Sequence, residues 1–328
     1  MNFDYNEEQQ LLADSVRRFL QKDYDFEARR KIVASPQGWS ERVWATLAEM
    51  GLTGLPLSPD YGGFGGGAVD LMSVMEAFGE ALVVEPYLPT VLASQVIARA
   101  GSPEQKKSIL PLVAQGKMQL ALATGERGVI GAPMAHRVIC AEKDRLWLFP
   151  PTEMKPYRTL DDLAAADVRF DGDGELLGGG ASVLEEILDF GAALSCAEAV
   201  GAMKFACDTT LEHLKTRRQF GVPIGTFQAL QHRVVDMFIS YEQAKSMACL
   251  ACSKADAALD AKDRAKAISA AKIKIADAAR HISQESVQLH GGMGMSEELK
   301  VSHTFRRLTA LARRFGDADQ HLARFASL

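Results

Sequence analysis

Residues 184–218 read "LEEILDFGAALSCAEAVGAMKFACDTTLEHLKTRR", with no proline and with apolar residues on more than one face of a helical projection. That is longer than a typical globular helix. Two comparable stretches follow, "TFQALQHRVVDMFISYEQAKSMACLACSKADAAL" at 226–259 and "DRAKAISAAKIKIADAARHISQESVQLHG" at 263–291. Three long helices with so much apolar surface predict an antiparallel bundle that also packs against other subunits. Residues 181–328 are therefore expected to form a C-terminal four-helix bundle and oligomer core, and the fold class is mainly α.

Upstream, "NEEQ" at 6–9 puts Asn6 at an N-cap with Gln9 completing a capping box, and Leu11, Leu12, Val16, Phe19 and Leu20 recur at helical spacing. Further helical patterns lie at "SERVWATLAEMG", "AVDLMSVMEAFGEAL", "LPTVLASQVIARAG" and "SPEQKKSILPLVAQG", punctuated by Gly and Pro. These predict an N-terminal helical domain over 1–117. The texture then changes. "MQLALAT" (118–124) and "RLWLF" (145–149) are short apolar or alternating runs, and "ADVRFDGDGELLGGG" (166–180) ends in turn formers. They predict a small middle β domain over 118–180.

The chain has 328 residues, 47% of them hydrophobic, and a formal net charge of −5. It can bury a sizeable core, and it carries no basic footprint for nucleic acid or a membrane surface. The N-terminal residues show no basic leader followed by an apolar run, and no uninterrupted apolar stretch looks long enough to span a bilayer. A cytoplasmic location is expected. Five cysteines, an odd and scattered set, do not suggest a disulfide framework. Cys249 and Cys252 form "CLAC" in an Ala-rich helical stretch with no second Cys/His pair nearby, which favours packing residues over a metal or redox pair.

Three glycine signals stand out. "YGGFGGG" (61–67) lacks the Lys-Ser/Thr of a P-loop and has no strand leading into it, so a flexible surface loop is expected. "KTRRQFGVPIGTFQALQH" (215–232) joins the first two long helices through a tight turn, where Arg217 or Arg218 alone would be a solvated cation at a helix C-terminus. "VQLHGGMGMSEE" (287–298) alone would be a glycine C-cap. His290 and His303 alone read as hydrogen-bonded structural residues.

Taken together, "GLPLSPDYGGFG", "LALATGERG", "TRRQFGVPIGTFQALQH" and "QLHGGMGMSEE" resemble the acyl-CoA dehydrogenase family over nearly the whole chain. The resemblance implies helical, β and helical domains with FAD shared at a subunit interface. It also implies a carboxylate base at the acyl α-carbon and hydride transfer from the β-carbon to the flavin. By position, Arg217, Gln219, Phe220, Ile224 and Phe227 match the group that meets the pyrophosphate and adenosine of a neighbouring subunit's FAD. Gln288, Gly291 and Gly292 match the rest of that half-site. A guanidinium pairs with phosphate oxygens, and glycines let a backbone approach a dinucleotide closely.

Two departures from the family pattern bear on function. "TGERG" runs through "VIGAPMAHRVICAEKD" (129–144) almost directly into "RLWLF", without the Trp-x-Thr-type segment and further strands that hold the flavin ring in typical members. Glu126 keeps the place of a Thr-Glu-Pro glutamate. In the loop "RRFGDADQH" (313–321), the family's base falls on Phe315, with Gly316 retained and Asp317 following; the alternative base position falls on Gly191. Neither residue can accept a proton. Glu185, Glu186, Asp189, Asp317 and Asp319 are the carboxylates nearby.

The ending also resembles small subunits of paired members, of the pimeloyl-CoA or steroid side-chain type. Three readings stay open: a subunit whose base and flavin-ring site come from a larger partner, a non-catalytic or acyl-CoA-binding relative, and a homo-oligomeric dehydrogenase with an unusual Asp base. The implied partners are an acyl-CoA, a larger dehydrogenase subunit or second copy, and an electron-transfer flavoprotein.

Overall fold

The computed structural model describes residues 6–142, 144–150, 153–257 and 260–328. The first five residues and the end of the second long helical stretch, Ala258 and Leu259, lie outside the described residues. In chain order the helices of the first third are α1 (Glu7–Asp23), α2 (Phe26–Ala34), α3 (Glu41–Glu49), α4 (Ala68–Ala81), α5 (Tyr87–Ala100) and α6 (Pro103–Ala114). The strands β1 (Leu120–Ala123), β2 (Val129–Ile130), β3 (Arg137–Glu142), β4 (Arg145–Phe149), β5 (Met154–Arg158), β6 (Ala164–Val168) and β7 (Glu175–Leu177) follow. The remainder is α7 (Ala181–Thr216), a hairpin of β8 (Arg218–Gln219) and β9 (Val222–Pro223), then α8 (Gln228–Asp256), α9 (Ala261–His290), α10 (Lys300–Leu311) and α11 (Ala318–Ser327). The fold is mainly helical, with a small β domain between helical ones.

Local chemistry starts the helices where the sequence says it should. The Asn6 side chain accepts from the Gln9 N–H at 2.8 Å while the Gln9 carboxamide oxygen accepts from the Asn6 N–H at 3.0 Å, the expected capping box. Ser102 and Gln105 repeat it at α6.

The chain divides into two units, each drawn from separated stretches. One comprises the described residues up to Arg29, Ala68–Val83 and Ala192–Leu328. Here α4 is held at both ends and in the middle by the C-terminal helices. At its start the Asp256 carboxylate accepts from the N–H groups of Ala68 (2.6 Å) and Val69 (2.8 Å), a cap supplied from the end of α8. In the middle, Gly79 and Gly201 let two backbones meet: a Cβ on Gly79 would strike the Glu198 carbonyl, and one on Gly201 the Glu76 carbonyl. Beyond its end, Leu82 turns into the left-handed region at φ +60°. Two buried guanidiniums secure that turn: Arg29 donates to the Leu82 carbonyl (2.8 Å) and Arg307 to the Val83 carbonyl (3.1 Å) and the Glu198 carboxylate (2.6 Å). His303 is a structural residue, with Nδ1 at 3.3 Å from an Arg29 guanidinium nitrogen and Nε2 at 3.1 Å from the Glu297 carbonyl.

The expectation that no uninterrupted apolar stretch is long enough to span a bilayer leaves out α7, whose apolar run is broken by Glu198 and Lys204. α7 has the length and hydropathy to do so, but 83% of its most apolar window is buried inside the chain, so core packing accounts for its composition.

The second unit comprises Arg30–Gly67 and Val84–Gly191. It holds a four-stranded sheet in the order β1-β3-β4-β7 and a three-stranded sheet in the order β2-β6-β5. β1 runs parallel to β3, in register Leu120 to Arg137, and the other pairings are antiparallel. Ala121, Ala123, Val129, Ala132, Ala135, Val138, Ala166 and Val168 make a core drawn from both sheets. Its small residues leave little room between the sheets. The segment 129–144, which the sequence shows only as a passage into "RLWLF", contains β2 and β3.

The glycine stretch at 61–67 is not a flexible loop. Phe64, Gly65 and Gly66 donate their N–H groups to the carbonyls of Gly54, Leu57 and Leu55, at 3.2, 2.7 and 2.8 Å. A Cβ on Gly63 would collide with the Leu57 carbonyl. The glycines serve close packing of this segment on residues 54–57.

Candidate functional site

α7 ends at Thr216, and its last turn leads into a two-strand hairpin that the sequence shows only as a tight turn. Arg218 pairs with Pro223 and Gln219 with Val222, leaving Phe220 and Gly221 at the tip. Both tip residues have positive φ, +55° and +81°, the geometry of a type I′ turn. Glycine or asparagine fits such a position; a bulky aromatic is an outlier there. Phe220 is also 91% exposed, and its ring meets the edge of Phe227, with centroids 6.1 Å apart. The Ile224 N–H donates to the Arg217 carbonyl at 2.8 Å and closes the base of the hairpin. Neither the Arg217 nor the Arg218 guanidinium has a hydrogen-bond or ion-pair partner among the described residues, and both side chains are exposed.

The second motif starts where α9 ends, at His290. Gly291 has φ +61° and ψ −144°, a conformation that L residues avoid. At Gly294 a Cβ would come within 2.6 Å of the Val287 carbonyl, so packing requires glycine there. Gly292 is different. Its φ is not positive, and a Cβ built on it meets nothing within 4 Å. Gln288, Gly291, Gly292 and Met293 are all exposed.

The two motifs belong to one unit, and a pair of imidazoles ties them together. His213, in the last turn of α7, stacks on His290 with centroids 4.3 Å apart and planes at 25°. Burial, then His290, then Arg217 hold the His213 imidazole below its ordinary pKa, and burial does the same for His290. His290 Nδ1 lies 2.8 Å from the Ser286 carbonyl, which can only accept, so Nδ1 carries the proton. The stack therefore sets Arg217, one turn past His213, and Gly291, next to His290, on the same end of the unit. Unspent guanidiniums, open glycine backbone and exposed aromatic rings suit an anionic, ring-bearing ligand approaching from outside the chain. The dinucleotide FAD fits that donor set.

Two of the carboxylates near the family's base positions have structural partners. Asp317 accepts from the Gln320 N–H at 2.9 Å and its own N–H donates to the Gln320 carboxamide at 3.0 Å, a capping box that starts α11. Glu186 pairs with Arg99 at 2.8 Å. Asp189 is buried within α7, and Gly191 follows on the same helix. Phe315 and Gly316 have φ +60° and +104°. Two residues not legible as functional in the sequence hold this loop. The buried Lys272 donates to the carbonyls of Leu311 (3.0 Å) and Arg314 (2.7 Å), and His321 Nε2 donates to the Phe315 carbonyl (2.9 Å). Lys272 is concealed by its separation from the loop in sequence, whereas His321 closes the quoted stretch without any pattern that marks it as a brace.

Cys249 and Cys252 are buried free thiols, and burial pushes both upward. The packing reading of "CLAC" fits this environment. No group of His, Cys, Asp or Glu suited to a metal ion occurs among the described residues.

Comparison with known proteins bears on the whole chain. Residues 6–117 match the model of the acyl-CoA dehydrogenase N-terminal domain and residues 178–326 that of the C-terminal domain. Acyl-CoA dehydrogenase IpdE2 of Mycobacterium tuberculosis (strain ATCC 25618 / H37Rv) is 30% identical over 98% of this chain and 97% of its own length. The two chains are therefore of nearly equal length. Among solved structures, the Tcur3481-Tcur3483 steroid ACAD G363A variant aligns with a TM-score of 0.91 at 24% identity, covering 98% of this chain and 97% of that one. The ChsE4-ChsE5 complex from Mycobacterium tuberculosis gives 0.90 at 22% identity, covering 100% and 98%.

Proposed function

The chain belongs to the acyl-CoA dehydrogenase family, and from that premise we propose that it is one subunit of a heteromeric, FAD-dependent acyl-CoA dehydrogenase. It lends a half-site for the dinucleotide, and the flavin-ring site and the base come mainly from a larger partner chain. The observation that carries this reading is at the base positions. They hold Phe315 and Gly191, and the nearest loop carboxylate, Asp317, is committed to starting α11. A carboxylate that accepts a backbone N–H to cap a helix is poorly placed to take a proton from a substrate carbon.

Bound flavin would supply the hydride acceptor for α,β-desaturation of an acyl-CoA thioester. This chain's own residues bind and orient. Arg217 pairs with diphosphate oxygens through a guanidinium that no carboxylate among the described residues occupies. Gly292 leaves its backbone open to close approach, and Gln288 offers a carboxamide beside it. Phe220 and Phe227 present ring faces and edges on which a planar group can pack. The Tcur3481-Tcur3483 steroid ACAD and the ChsE4-ChsE5 complex are paired proteins of this fold, which supports a heteromeric assembly, and the former supports an acyl group borne on a bulky ring system. An electron-transfer flavoprotein would receive the electrons, as the family resemblance implies.

The test is a visible absorption spectrum of the chain purified alone and after co-expression with a larger relative, before and after adding acyl-CoA. A flavin band that appears only in the pair and bleaches with substrate supports the shared site. A bleachable flavin in the isolated chain would mean a self-sufficient dehydrogenase with its base on this subunit. Colourless protein in both preparations would leave only an assembly or acyl-CoA-binding role.

A further inference from the structure

We infer that the stacked imidazoles of His213 and His290 are a positioning pair that fixes the spacing between the two halves of the dinucleotide half-site. The inference rests on the half-site reading above and assigns the element that sets its geometry. The two motifs are 61 residues or more apart in sequence, and each is a turn at the free end of a long helix. A bidentate guanidinium and an open glycine backbone recognise one diphosphate-bearing ligand only if their separation is held. The stack joins the last turn of α7 to the last residue of α9, next to both motifs: the Arg217 N–H donates to the His213 carbonyl at 2.8 Å, and His290 directly precedes Gly291.

The chemistry of the pair suits this role. The proton on His290 Nδ1 goes to the Ser286 carbonyl of its own helix, which fixes the ring's orientation. Both rings are held neutral by burial, so they meet as two flat π systems without repulsion between cations. His213 is half-buried and His290 buried, so contact, not solvent, sets their arrangement. Neither ring needs to touch the ligand. An aromatic pair of this kind contributes enough to change affinity by about three- to tenfold when it is lost.

The experiment measures FAD affinity, by flavin fluorescence titration, in whichever preparation from the preceding test holds flavin. It compares wild type with His213→Ala, His213→Phe, His290→Phe and Arg217→Ala, with circular dichroism checking that each folds. His213→Ala should weaken binding about three- to tenfold, and His213→Phe, which keeps a flat ring, should restore it to within about twofold of wild type. His290→Phe separates stacking from folding: a folded protein with near-wild-type affinity supports the pair even if the alanine variant unfolds. If His213→Ala binds as wild type while Arg217→Ala is weakened, the half-site reading stands and the stack has no positioning role. If His213→Phe is as weak as His213→Ala, stacking is not what matters and the inference fails. If Arg217→Ala also binds as wild type, or no preparation holds flavin, the half-site reading falls and this inference with it.

Discussion

Phe220 holds φ at +55° on the tip of the β8-β9 hairpin with 91% of its surface exposed, a conformation that costs a non-glycine residue roughly 1–3 kcal/mol. Among the described residues its one ring contact is with the edge of Phe227. Phe220→Gly should therefore raise folding stability by up to about 1 kcal/mol, while lowering flavin retention. Urea unfolding and flavin content, measured on one preparation, check the two signs; a variant that loses stability would mean the ring supports the fold. The stacked histidines give a second expectation. Their folded pKa values lie below the ordinary 6.5, so the unfolded chain binds more protons once pH drops below that value. Stability then rises with pH: the contribution is complete above 6.5 and is lost as pH falls through the lowered folded values. Thermal melts from about pH 7.5 to about 5.5 should show this loss, with a shallower slope in His213→Phe; equal slopes would refute it. The sequence named the residues around Phe220 through a motif, but a positive φ depends on strand pairing and cannot be read from residue identities.

At the scale of elements, the helices were legible and their mutual supports were not. Asn6-Gln9 announces its helix because a capping box is local, its two partners three residues apart, and the structure shows the same device at Ser102-Gln105. Strands such as β2 and β3 escaped because the first has two residues and the second carries no alternating pattern, being apolar on both faces. The cap of α4 comes from Asp256, 188 residues beyond Ala68, and no periodicity reports a partner that distant. Replacing Asp256 with Ala should cost about 1–2 kcal/mol. Gly201→Ala should cost about 2–3 kcal/mol, because the added methyl meets the Glu76 carbonyl of a neighbouring backbone. Denaturant midpoints of both variants test this pair of values. A Gly201→Ala protein with unchanged midpoint would show that α4 and α7 can separate freely.

For the whole molecule, family and fold class followed from a few motifs spread along the chain, whereas the absence of a base required knowing what Asp317 does. Its side chain reads as a possible base in sequence and as a helix cap in space. A ligand that binds only the native state raises the melting temperature by mass action. Flavin added to the assembled protein should do so, and Arg217→Ala should remove most of that rise while leaving the flavin-free melting temperature within about 1–2 °C, since Arg217 makes no ion pair among the described residues. A fall in the flavin-free value would instead make Arg217 part of the scaffold. The threading of α4 also bears on how the protein is made. The ribosome releases Ala68–Ala81 long before Asp256 and Arg307, which complete its cap and secure its exit turn. Until synthesis nears its end, that nascent segment has an apolar face without its native partners, the kind of surface that chaperones hold. Folding of this unit is thus obliged to be late, and a nascent chain halted before residue 256 should present α4 to proteases rather than a finished N-terminal domain.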